Sequence, residues 1–506
     1  VSYYIDPTVT PGGIGTIGDP AASFPGTINA STEYLIKAGT TLDVGTGQVI
    51  SSKNNVTVGR YGDGADPIIT GTTSGARITI GGTTSNFTVH NINFIATATT
   101  GSLIYVNTTG GTNLIDHCTF IGLSTASGGA SISLNTALAI TGLTISNCTI
   151  DKGNYGISCL VNTPGLTYSG ITISGNTITN TNLDPIRLSV ESTAGAWSTS
   201  NINNVTISGN TIDRCAGHIR VRNGNLTDRM NPVNLGSNIT LSNNRLTNSA
   251  LTNTAANQGA AIALHGCTGG VVSGNYLYNC FCAGGQIETG SNSGLLIENN
   301  YVEHSVSNNG IDAVGIFDDE GNVSSTVRYN TIVDCPGYGV ANPPPNYGGG
   351  IATYRARNSR YYGNLIKASG RGFTYGDPLE TGNMMYNNTL IDNTRGALYR
   401  SGSGALAGAL LFRNNIVIGS SIEGGGVSNA TLVSNVSYAT TTLAGIVVDG
   451  VGLPIGLAPG SPCISAGIGL DQYTVSKNGY SYYSTPSVGA HEVPRPFYMF
   501  AVGWFG

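Results

Sequence analysis

The chain has 506 residues, of which 10% are Asp, Glu, Lys or Arg and 73 are glycine, against roughly 25% charged residues in an average soluble protein. That little charge excludes a coiled coil, a helical bundle and a charged disordered chain, while 40% hydrophobic residues are enough for a core. A net charge of -5, with 22 basic residues spread along the length and no basic stripe, argues against nucleic acid as a partner.

The N-terminus, Val1-Ser2-Tyr3-Tyr4-Ile5-Asp6, lacks the basic and apolar regions of a signal peptide. The expectation is a leader already removed, or release from a cytoplasm by another route. No apolar run reaches the roughly 18 residues of a membrane-spanning helix, so membrane insertion is not expected. Residues 1–85 read as an opening segment and first coils, through Tyr3-Tyr4-Ile5-Asp6-Pro7, Gly18-Asp19-Pro20-Ala21, Ala38-Gly39-Thr40-Thr41-Leu42 and Val58-Gly59-Arg60-Tyr61-Gly62.

Over 86–440 the chain repeats itself. Degenerate copies at Val89-His90-Asn91-Ile92, Ile115-Asp116-His117-Cys118 and Ile145-Ser146-Asn147-Cys148 lead into clear ones, Ile171-Thr-Ile-Ser-Gly-Asn176-Thr-Ile178 and Val205-Thr-Ile-Ser-Gly-Asn210-Thr-Ile212. The frame continues through copies ending at Leu246, Leu277, Val302, Ile332, Ile366, Leu390 and Val417. Marker asparagines at 147, 176, 210, 244, 275, 300, 330, 364, 388 and 415 are 24 to 34 residues apart. Three residues before the marker and two after it, the columns are apolar throughout; five after it, Cys215, Ser249, Cys280, Ser305 and Cys335 mark a column of small side chains.

Short β-branched runs that alternate with polar residues between turns are strands. One repeat cannot bury its own apolar face, so repeats must stack. The fold expected is all-β, a right-handed parallel β-helix of about a dozen coils, each rung about 4.8 Å from the next. The marker Asn reads as a turn residue that bonds neighbouring backbone and tolerates the left-handed conformation. The nine cysteines read as small buried hydrophobes, with a disulfide between Cys118 and Cys148, or Cys280 and Cys282, left open.

Residues 441–506 read as a closing segment and apolar tail, with Leu457-Ala458-Pro459-Gly460-Ser461-Pro462-Cys463 and Ser487-Val488-Gly489-Ala490-His491-Glu492. This segment and the opening one resemble the ends of the right-handed β-helix, pectate-lyase-like superfamily, which includes polysaccharide lyases, hydrolases and phage tailspikes. The tail from Arg495 to Gly506 is too short to cross a membrane; it reads as a cap over the open end or as a contact within a homotrimer or a virion or fibre assembly.

Charge gathers between 184 and 400, in or beside the third strand of each coil: Ile186-Arg187-Leu188, His218-Ile219-Arg220-Val221-Arg222, Ile262-Ala263-Leu264-His265, Gln286-Ile287-Glu288, Phe317-Asp318-Asp319-Glu320, Tyr354-Arg355 and Tyr375-Gly376-Asp377. With apolar residues inward, period 2 turns the charged ones outward. If Leu264 aligns with Val221 and Ile287, then Arg222, His265 and Glu288 stack. Glu288 with Asp318 or Asp319 could supply the two carboxylates of glycoside hydrolysis. His265 or Arg222 could serve β-elimination. Arg187, Arg220, Arg222, Tyr354, Arg355, Tyr375 and Asp377 are the candidate substrate-binding residues, with Tyr347, Tyr361 and Tyr362 nearby. The stiff stretch Asn342-Pro343-Pro344-Pro345-Asn346-Tyr347 is expected to project as a loop beside this face.

The resemblance implies Lys and Arg as lyase catalysts, often with calcium. The lysines, at 37, 53, 152, 367 and 477, all lie off this face. No cofactor is assigned, and calcium stays open. The first reading is recognition and depolymerisation of a bacterial surface or extracellular polysaccharide, at a virion or outside the cell. The alternative is a non-catalytic structural, decoration or adhesin rod.

Overall fold

A computed structural model describes residues 1–71, 75–97, 101–108, 110–123, 129–134, 138–161, 163–190, 200–223, 236–249, 260–282, 284–305, 313–336, 349–400, 410–424 and 430–440, with short pieces at 444, 446–448, 454–458, 461–463 and 489. The proline-rich stretch at 342–347 and the tail from 495 lie outside these.

The protein is a right-handed parallel β-helix. Each coil gives one strand to each of three sheets of 16, 15 and 14 strands, in the order in which the chain visits them. In the first sheet the column before the marker Asn faces inward in register, as Ile173, Ile207, Leu241 and Val272. In the second, Ile178, Ile212, Leu246 and Leu277 do the same. In the third, an unbroken inward ladder runs Ile186, Ile219, Ile262, Ile287, Ile316, Ile351, Phe373 and Leu398. These residues have no exposed surface, so hydrophobic burial along one axis holds the stack. Among the described residues no helix is long and apolar enough to cross a membrane.

The marker asparagines form an internal ladder. Asn244 Oδ1 accepts from the backbone N–H of Asn210 at 3.1 Å and from its Nδ2 at 2.9 Å, while Asn244 Nδ2 donates to Ile207 O at 2.9 Å. The left-handed residue is the one before the marker, Gly175, Gly209 or Asn243, which corrects the expected division of labour. The turn takes a residue that tolerates positive φ, and the next side chain, pointing inward, completes the backbone bonds. Asn147 therefore falls in the left-handed slot, with φ of 52°, and Cys148 takes the marker place, its N–H bonded to Asn176 Oδ1 at 2.9 Å. Cys118 and Cys148 do share a column, but all nine cysteines are free and buried.

Ala444, Ile446, Leu457 and Cys463 pack on Leu365, Ile391, Ile416 and Ile418. The described part of the closing segment thus lies along the outer side of the second sheet. It buries a patch where that sheet's outward columns have turned apolar.

Candidate functional site on the third sheet

The outward columns of the third sheet carry the charge. The residue after each ladder isoleucine points out, so Arg187, Arg220, Ala263, Glu288 and Phe317 lie in one row. Two residues further along, Ser189, Arg222, His265, Gly290 and Asp319 form a second row. The expected stacking of Arg222 on His265 is present. Glu288 is not in that row: Ile287 pairs with Ile262 rather than with Leu264. The chain between the small-residue column and the third strand varies in length, so register is set by the inward isoleucine and cannot be counted from the marker.

Glu288 still reaches His265 diagonally, with Oε1 3.7 Å from Nε2. Gly290, next to His265 in its row, leaves the ring its space: a Cβ there would stand 2.9 Å from Nδ1. On its other side Glu288 has Phe317, which joins Val314, Ala352 and Tyr354 in a small apolar patch on the outer face. The carboxyl thus sits between an imidazole and a dry surface.

Before Glu288 along the stack lies a basic station. Arg187 donates to Tyr155 Oη at 2.8 Å. Arg220 Nε donates to His218 Nε2 at 2.8 Å and lies 3.5 Å from Asp184 Oδ2. His218 is buried, and desolvation lowers its pKa to about 4, with Asp184 opposing and the charges of Arg220, Arg187 and Arg222 adding to the fall. A neutral ring is what the Arg220 bond requires, since only an unprotonated Nε2 accepts. Asp184, in the turn before the strand, was not anticipated; its one sequence signal is its place ahead of Pro185.

Beyond Glu288 the face turns acidic and aromatic. Asp319, Glu320 and Asp377 all bear on Tyr354, whose pKa is raised first by burial. Arg355 pairs with Asp377 at 3.1 Å and lies over the Tyr354 ring at 4.7 Å.

Two expected site residues face the other way. Asp318 and Asp319 are consecutive on a strand, so only one can point outward; it is Asp319. Asp318 has no exposed surface and accepts from Tyr361 and Asn322 inside the coil. Tyr375 is also interior, 1% exposed, as is Tyr361. Tyr362 lies on the first sheet, stacked on Tyr386. Of the expected aromatic residues within the described range, Tyr354 alone belongs to this face. Among the described residues no three His, Cys, Asp or Glu side chains gather as a metal site.

No protein-family model and no curated protein matches the chain. Among solved structures it is similar to the family GH136 lacto-N-biosidase from Eubacterium ramulus, at 12% identity over 87% of this chain and 68% of that one, with a TM-score of 0.36. It is also similar to a PL6 alginate lyase in complex with a trisaccharide, at 12% identity over 90% and 92% of the two chains and a TM-score of 0.43. The Dettilon tailspike protein matches at 12% identity over 82% and 63%, with a TM-score of 0.37. At this distance the chemistry has to come from the chain's own side chains.

Proposed function

We propose that the protein recognises a bacterial surface or extracellular polysaccharide along the outer face of the third sheet and cleaves it at Glu288. The observation that carries this reading is the 3.7 Å approach of Glu288 to His265, midway along a charged row between Arg187 and the Arg355–Asp377 pair. A surface that repeats with each coil suits a polymer that repeats along its length. At about 4.8 Å per rung, the strands from Ile186–Val190 to Phe373–Tyr375 make a face roughly 29 Å long.

Hydrolysis needs two carboxyl groups roughly 5 to 9.5 Å apart. Glu288 and Asp319 lie on adjacent strands, offset by two residues in register, which puts their backbones about 8 Å apart. In this reading Glu288 protonates the leaving oxygen and Asp319 activates a water. His265 orients Glu288. Arg187, Arg220 and Arg222 hold the sugar on one side of the bond, and Tyr354, Arg355 and Asp377 on the other. Elimination is the second reading, favoured by the stacking of Arg222 on His265: a guanidinium for a uronate carboxylate beside an imidazole base. Placement at a virion or outside the cell, and assembly as a homotrimer, belong to the same proposal.

The test is mass spectrometry of the products from a panel of bacterial capsular and extracellular polysaccharides. Fully hydrated fragments support Glu288 with Asp319. Fragments lighter by one water move the chemistry to His265. A polymer that binds and is never cut leaves a binding or structural rod.

A further inference from the structure

The residue just before each inward ladder position of the third sheet belongs to a column of its own. From Gly156 to Ala397 that column holds only Gly, Ala or Pro, apart from His218 and Gln286. The reason is space: a Cβ would stand 2.6 Å from Ile332 Cγ2 at Gly315, 2.3 Å from Ile366 Cγ2 at Gly350 and 2.6 Å from Leu390 Cδ2 at Gly372. Packing against the second sheet therefore asks for small residues here. Both exceptions stand two residues before a charged member of the outward row, His218 before Arg220 and Gln286 before Glu288.

At His218 the neighbouring coil is built to receive the ring. Asp184, 6% exposed, lies directly on Gly217, where a Cβ would come 2.3 Å from Asp184 Oδ1 and 2.6 Å from its backbone N. Gly217 is not left-handed, so it is there for room and not for conformation. Asp184 Oδ1 accepts the His218 backbone N–H at 3.2 Å and stands 3.5 Å from the ring Nδ1, while Oδ2 stands 3.5 Å from Arg220 Nε. On the other side of the ring, Nε2 accepts from Arg220 Nε at 2.8 Å. A neutral imidazole that accepts at Nε2 has its proton on Nδ1, the nitrogen that faces the carboxylate.

We propose that Asp184 and His218 are positioning residues: the carboxylate fixes the imidazole as its Nδ1–H tautomer, and the imidazole holds the Arg220 guanidinium in place on the outer face, ready for the polymer. The polymer part rests on the proposed function; the strap from Asp184 through His218 to Arg220 does not. Pinning Nε removes rotamer freedom that a long side chain would otherwise lose on binding. The charged groups facing the ring are Asp184, Arg220, Arg187 and Arg222. Burial, together with the three guanidinium charges, keeps the ring neutral against the pull of Asp184, at a pKa of about 4.

The test uses the full chain with isotope-labelled histidine and arginine. At pH 7 the nuclear resonances of His218 should show a neutral ring protonated at Nδ1, and the Arg220 Nε–H should exchange slowly with water. His218→Leu should remove that protection. His218→Gln should restore it, since an amide oxygen accepts where Nε2 did, and Asp184→Ala should let the Nε2–H tautomer appear. A wild-type ring protonated at Nε2, or an Arg220 Nε–H equally protected in His218→Leu, would overturn the strap. Each bacterial capsular or extracellular polysaccharide that binds the wild type should bind His218→Leu about tenfold more weakly and His218→Gln nearly as well as wild type; in an Arg220→Ala background His218→Leu should change little. Equal binding by wild type and His218→Leu overturns the positioning of Arg220 for the polymer. If no polysaccharide binds the wild type, the proposed function falls and takes the polymer part with it, while the resonances still decide the strap. Should His218→Leu fail to fold, the wild-type tautomer and the Asp184→Ala spectrum decide.

Discussion

Gly290 stands beside His265 in the outward row of the third sheet, and a Cβ on it would come 2.9 Å from the imidazole Nδ1. The backbone at 290 is not left-handed, so alanine is tolerated there by the chain itself. The ring is the part that must yield. Gly290→Ala should leave the thermal midpoint within a degree or two of wild type. It should reduce cleavage about tenfold, because displacing the group that orients a catalytic carboxyl is costly. Equal activity in the two proteins would mean that His265 plays no positioning part.

Glu288→Gln and Asp318→Asn separate the outer face from the interior. Glu288 has a partly exposed side chain; its amide should fold normally and lose turnover by at least about a hundredfold. Asp318 is interior, and an amide there turns an N–H toward one of its three donors. Asp318→Asn should cost about 1 to 3 kcal/mol in urea denaturation and spare turnover. The opposite pattern would place the chemistry inside the coil.

Much of this arrangement was legible in the sequence, because a solenoid writes each structural role as a column. The apolar columns at Ile173 and Ile178, the small column through Cys215 and Ser249, and the charged third strands all keep their places. Two things were not legible. Spacing to the third strand varies from coil to coil, so the register of Glu288 against His265 was missed by two residues. Orientation fails where polar residues enter the interior: Asp318 and Tyr375 look like surface residues, and three donors or a neighbouring coil make them core. An inward carboxyl is recognisable only once its partners from other coils are known.

The asparagine ladder should be as costly to interrupt as a core contact. Asn244→Ala would remove three buried hydrogen bonds: the acceptor of the Asn210 backbone N–H, one of the acceptors of Asn210 Nδ2, and a donor to the carbonyl of Ile207. Each unmet buried group costs about 1 to 3 kcal/mol, so a total of about 3 kcal/mol or more is expected in chemical denaturation. Asn244→Asp should do no better, since a carboxylate keeps the acceptor and loses the donor to Ile207.

The thiols give an independent check on the coil. All nine cysteines are buried and free, and burial lifts Cys215 and Cys335 to about 11 and Cys267 and Cys280 to about 12. Thiol reagents at pH 8 should label almost none of them in the native protein and nine after denaturation, and a reductant should leave the thermal midpoint where it is. A midpoint lowered by the reductant would show a disulfide.

His218 sets a pH limit from the acid side. Its ring is buried and its pKa is lowered to about 4 by desolvation, while the unfolded chain binds the proton near ~6.5. Between these values the unfolded state holds more protons, so stability should fall as pH drops through that window, by up to about 3 kcal/mol. Glu380, 4% exposed and pushed above the usual carboxylate range by burial, acts with the opposite sign, losing stability as pH rises, so the two must be separated by substitution. In His218→Gln the acid-side loss should shrink, and the Arg220 Nε bond of 2.8 Å can be kept by the amide oxygen. Protonating His218 breaks that bond and turns the imidazolium against Arg220, Arg187 and Arg222, so polymer binding at the basic station should weaken over the same pH range. Binding that holds steady from pH 7 to 4, with stability falling as predicted, would detach the basic station from the ligand.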